Sequence, residues 1–136
     1  MTFLLFFPQR QASLSLLLLI GFSVGLIIDM FYHSIGAHAF ASVLMVYSRA
    51  FLLQIMLPAR GYEVATQPTL ANLGWRRFSL FSLLLIGIHH TALFFLEAGN
   101  AVFFFLVMRK VISSTLLTYV AIILTQSITY LIRRKR

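Results

Sequence analysis

ASLSLLLLIGFSVGLIIDMF, residues 12–31, decides the fold: it is apolar over enough length to cross a bilayer as one helix. About 20 apolar residues rising 1.5 Å each match a hydrocarbon core of roughly 30 Å. Near the end of this run stands an acid, Asp29, preceded by Gly21 and Gly25. The spacing is i, i+4, i+8, so the three positions share one helix face that drifts by about 80° over two steps. A carboxylate at the centre of a membrane costs roughly 2.5–3.5 kcal/mol on insertion scales, and less toward the interface. A face of close-approach glycines ending in an acid therefore predicts a packed seam rather than a lipid-facing surface.

Composition extends this reading to the whole chain. Of 136 residues, 60% are hydrophobic, and the mean hydropathy is +0.94. A soluble domain of this size could not bury that much apolar surface, so the class is an all-α integral membrane protein in a single domain, 1–136. Three acids, Asp29, Glu63 and Glu97, stand against eleven Lys and Arg. A net charge of +8 raises the question of nucleic acid, but the bases flank apolar segments and end in the run 133–136, RRKR. That placement is a topology signal, with the bilayer and its anionic lipids as the partner. There is no cysteine, so disulfides and thiolate metal sites are excluded. The apolar start, 1–7, has neither a basic leader nor a small-residue cleavage site, unlike a signal peptide.

Spans are expected at about 12–31, 37–57, 76–97 and 111–132, with a loop at 58–75 marked by Pro58, Gly61, Pro68, Asn72 and Gly74. Residues 101–108, AVFFFLVM, are too short to span; they are an interfacial or re-entrant piece, or the start of a long fourth helix. Residues 1–8, MTFLLFFP, read as the tail of a further membrane helix. With the C-terminus in the cytoplasm, eight bases lie inside and two, Arg109 and Lys110, outside, while Arg49 falls within a span.

Ranking polar groups by helical rise gathers most of them in the outer half. Asp29 lies about 3 Å below the external end of the first span, and His89 and His90 about 10 Å below that of the third. Glu97, Arg109 and Lys110 sit at the external boundary, and His33 and His38 bracket the external turn. An outer-half polar cluster of Asp29, His89, His90, Glu97 and Arg109 is expected, with His89 or His90 as partner to Asp29. Arg49 lies about 18 Å below that boundary, too deep to pair with Asp29. It is expected to snorkel inward, unless the second span is short and 50–57 lies along the inner surface.

Chemistry is poorly served by this pattern. His89 and His90 are adjacent and point about 100° apart, and no HExxH motif is present, so no metal set is assigned. Gly21-Phe22-Ser23-Val24-Gly25 has the letters of a nucleophile elbow but lies inside a membrane helix, not on a strand–turn–helix. Ser23 also lies about 9 Å deeper than Asp29. No catalytic residue, cofactor or phosphate loop is assigned. Gly21, Gly25, Asp29, Gly36 and His38 are the residues expected to matter for the fold or an interface.

GFSVGLIIDMF followed by HSIGAHAFASVLMVYSR resembles MreD, the rod-shape-determining membrane protein family of bacteria. The matching pattern is a Gly-rich helix ending in an acid, a short turn, Gly-x-His-Ala, then a helix with a tyrosine: Gly25, Asp29, Gly36, His38, Ala39 and Tyr47. LPARGYE at 57–63 and HHTALFFLEA at 89–98 look like the short Bacteroidetes-type members. The resemblance implies a six-helix fold similar to the substrate-binding subunits of energy-coupling-factor vitamin transporters. It implies a non-enzymatic scaffold in the bacterial inner membrane, serving cell shape and peptidoglycan synthesis. Its partners would be MreC and, through it, MreB, a RodA-type glycosyltransferase and a class B penicillin-binding transpeptidase. A family member would carry further helix before Met1, so an internal start or a truncated gene is expected. The competing expectation is a transporter subunit holding a small molecule near Asp29, His89, His90 and Glu97.

Overall fold

A computed structural model describes residues 13–56, 69–99 and 104–134. They form four helices: α1 (Leu14–Tyr32), α2 (Ala37–Met56), α3 (Leu70–Ala98) and α4 (Phe104–Arg134). Each is long and apolar enough to cross a membrane. The helix tail expected at 1–8, the part of the expected loop at 58–68 and residues 101–103 lie outside the described residues.

Local chemistry sets the helix ends. Ser13 caps α1 by accepting the Leu16 N–H at 3.2 Å, satisfying one of the donors a helix start leaves open. α1 stops at His33, which takes the left-handed conformation (φ 54°) and donates its N–H to the Asp29 carbonyl. The Ser34 N–H reaches the same carbonyl at 3.1 Å. Four residues, 33–36, then reverse the chain, and α2 opens with the Phe40 N–H bonded to the Gly36 carbonyl at 2.9 Å.

Two expected boundaries move. α3 begins at Leu70, so 70–75 are not loop; a break at Gly74 (φ 74°, ψ 161°) separates a short leading turn from the long helix. Left-handed φ at this position is available to glycine without strain. α4 begins at Phe104, not at 111, so 104–108 form the first turn and more of a long fourth helix. Arg109 and Lys110 lie inside that helix rather than before it.

Each helix packs chiefly on its neighbours in sequence. The larger core joins Leu17 of α1, Val46 and Leu53 of α2, Phe78, Phe81 and Leu85 of α3, and Ile122 of α4. A smaller cluster of Ala37, Ala41 and Leu93 sits near the 33–36 turn. α4 buries the smallest share of its surface and exposes Leu116, Leu117, Val120, Leu124, Ile128 and Leu131. An apolar face this long has nothing polar to offer water and is compatible with acyl chains. Its hydroxyls fit the same setting, because Ser113, Thr125 and Thr129 each donate to a carbonyl four residues back, at 2.6–2.8 Å.

Arg49 is not at the surface. It is 2% exposed, in the second half of a helix that runs unbroken to Met56. Neither expected escape, snorkelling inward or a shortened second span, is what the fold uses.

Candidate helix junction

The N-terminus of α2 has a missing part. Its capping position is Gly36, which has no side chain, so the N–H groups of His38 and Ala39 need an acceptor from elsewhere. Asp29, one turn before the end of α1, supplies it. Oδ1 accepts the His38 N–H at 2.9 Å, and Oδ2 accepts the Ala39 N–H at 2.9 Å. The Ser34 hydroxyl donates to Oδ1 at 2.6 Å, and His38 Nδ1 lies 2.9 Å from the same oxygen. An ionised carboxylate only accepts, so the proton of that last contact belongs to Nδ1. Asp29 is 4% exposed. Its charge faces the positive end of the α2 dipole as well as four donors, the arrangement that makes a buried acid tolerable.

Gly25 makes this reach possible. A Cβ there would stand 2.5 Å from the Ala39 Cα, 2.7 Å from its N and 2.7 Å from the His38 carbonyl oxygen. Those are backbone atoms of the first turn of α2, so only a glycine lets the two helices approach this closely. Gly21 lies buried one further turn away on the same face. The first turn is braced again by Ser42, whose hydroxyl donates to the His38 carbonyl at 2.5 Å. The Tyr32 ring lies against the His38 ring, with centroids 5.6 Å apart.

Ser34, His38 and Asp29 are the letters of a hydrolytic triad, but their geometry is different. A relay needs the serine on one ring nitrogen and the acid on the other. Here Ser34 lies 3.1 Å from His38 Nδ1, the nitrogen that already meets Asp29, and Ser34 gives its proton to Asp29. Ser23 is exposed and donates to the Leu19 carbonyl at 2.8 Å, as a lone hydroxyl in a helix does.

The expected outer-half cluster divides into three separate groups. Asp29 pairs with Ser34 and His38, not with His89 or His90. His89 is 7% exposed and hydrogen-bonds to the backbone of Ala41 in α2. His90 Nε2 meets Thr118 of α4 at 3.3 Å, and its ring stacks on Phe94 at 5.6 Å. These histidines tie α3 to its two neighbours. Glu97 and Arg109 line a cavity of about 390 Å³ between the end of α3 and the start of α4. Among the described residues no group of three His, Asp or Glu is placed to hold a metal ion.

Sequence reasoning selected Gly25, Asp29, Gly36 and His38 and missed Ser34. The signal for Ser34 was a hydroxyl in a four-residue turn directly after a buried acid, before a helix whose capping residue is glycine. No protein-family model, curated protein or solved structure matches the chain.

Proposed function

We propose that this chain is a non-catalytic membrane scaffold of the MreD type, acting in the bacterial elongation complex that sets cell shape and builds peptidoglycan. One observation carries the non-catalytic part: the most conspicuous acid has both oxygens committed to the start of a neighbouring helix. A carboxylate so engaged is occupied by the backbone and side chains of its own fold, and its work is to fix two helices in one register. The resemblance of residues 21–49, 57–63 and 89–98 suggests the family, and with it a six-helix fold and the partners MreC, MreB, a RodA-type glycosyltransferase and a class B transpeptidase.

On this reading the docking surface is apolar and sterically specific. A groove of about 620 Å³ between α2 and α3 is lined by Phe40, Leu44, Leu84, Gly87, Ile88 and Thr91. Small residues at such a site let a partner helix come close, and packing rather than hydrophobicity then drives association in lipid. The charge bias supports a cytoplasmic C-terminus. The test is affinity purification of the chain from native membranes. Co-purification of MreC, lost when Gly87→Trp fills the groove, supports the scaffold. Recovery of an ATPase subunit in place of MreC overturns it in favour of a transporter component.

A further inference from the structure

The three charges around the α3–α4 cleft do not neutralise one another. Glu97 comes from the end of α3, and Arg109 and Lys110 from the second turn of α4. Among the described residues none of the three is held in an ion pair. They line one cavity of about 390 Å³ whose other walls are Phe94, Ala98, Leu106 and Val107. That volume falls within the range of small-ligand pockets. Bases placed only to anchor a helix end need no cavity and no facing carboxylate.

The charge pattern specifies a ligand. Two cations and one carboxylate complement a group carrying one phosphodiester and one ammonium. Phosphate suits a paired Arg and Lys, and an ammonium suits the carboxylate. The position specifies how that group is carried. The cleft lies beside the end of the α3 span and the first two turns of the α4 span, each 26 residues long; at 1.5 Å per residue such a helix exceeds a core of roughly 30 Å, so its ends reach the level of the head groups. Deeper along the helix α4 exposes Ile112 and Leu116, a track on which acyl chains can lie.

We propose that this cleft binds the head group of a zwitterionic phospholipid of the phosphatidylethanolamine type, with phosphate on Arg109 and Lys110 and the amine on Glu97. The inference rests on the membrane-spanning reading of α3 and α4 and is independent of the scaffold function.

The whole chain, purified in a neutral detergent, would be titrated in native mass spectrometry with phosphatidylethanolamine, phosphatidylglycerol and soluble phosphoethanolamine. Each variant is first checked for an unchanged melting temperature; all three substituted side chains are exposed. Wild type is expected to take up one phosphatidylethanolamine about tenfold more tightly than phosphatidylglycerol, the worth of one charge-assisted hydrogen bond. Glu97→Gln should bring the two lipids to parity by weakening the first. Arg109→Gln with Lys110→Gln should weaken both by about tenfold or more. Equal retention of the two lipids by wild type, or no response to Glu97→Gln, would overturn the proposal. Soluble phosphoethanolamine binding as tightly as the lipid would overturn the lipid source.

Discussion

At the scale of single residues, Asp29 and Gly25 do one job together. Gly25 admits the α2 backbone, and Asp29 caps it once it is there. Asp29→Ala strands the N–H groups of His38 and Ala39, and loss of a cap costs about 0.5–2 kcal/mol. Asp29→Asn keeps one acceptor oxygen, so a smaller loss is expected. Gly25→Ala pushes a Cβ into backbone 2.5 Å away, an overpacking cost of about 1–3 kcal/mol. Because Gly25→Ala already parts the helices, the double variant with Asp29→Ala should lose less than the two singles added. Denaturation of the four proteins in one detergent measures the cycle; strict additivity would show that the glycine and the acid act separately. The face that carries them was legible, because i, i+4, i+8 spacing puts Gly21, Gly25 and Asp29 on one side of α1 whatever surrounds it. The partner of Asp29 was not. Depth along a helix ranks His89 as a neighbour, but depth says nothing about which helix lies beside which, and the donors came from Ser34 in the turn and from His38 and Ala39 at the start of α2, five to ten residues on.

At the scale of elements, the apolar runs announced four helices, while two starts were obscured by the residues that decorate them. Asn72, Gly74 and the nearby prolines read as loop, yet Gly74 is a local break within a helix that has already begun. Arg109 and Lys110 read as an edge, yet α4 carries them in its second turn because the apolar residues 104–108 continue the same helix backward. Arg49 had a readable depth and an unreadable face; packing, not sequence, turned it inward. α4 shows how little an element needs in order to stay in place. Against α3 it offers Ile122, the His90–Thr118 contact and one strong polar tie, the Tyr119 hydroxyl donating to Ser79 Oγ at 2.6 Å. Tyr119→Phe should lower stability by about 0.5–1.5 kcal/mol, the net value of such a bond. Adding Ser79→Ala should bring little further loss, since the pair is already broken. A full second loss on the double variant, measured by the same denaturation, would mean that the two hydroxyls serve different partners.

At the scale of the whole molecule, hairpin-like succession fixes a parity. From the 33–36 turn the chain passes along α2, α3 and α4, so the turn and the basic end 133–136 lie on opposite sides of a membrane if each helix crosses it. The charge distribution predicts which side is which: the turn 33–36 carries no Lys or Arg and is expected outside, and the C-terminal run is RRKR and is expected inside. The absence of native cysteine makes the question clean, because a single introduced thiol is the only one present. Ile35, fully exposed in the turn, replaced by cysteine should react in intact cells with a maleimide that cannot enter. Lys135→Cys should react only after the membrane is opened. The reverse pattern would keep the fold and invert the orientation. Labelling of both from outside would mean that one of the three helices fails to cross, and α4, which buries least against the others, would be the first to reassign to the surface.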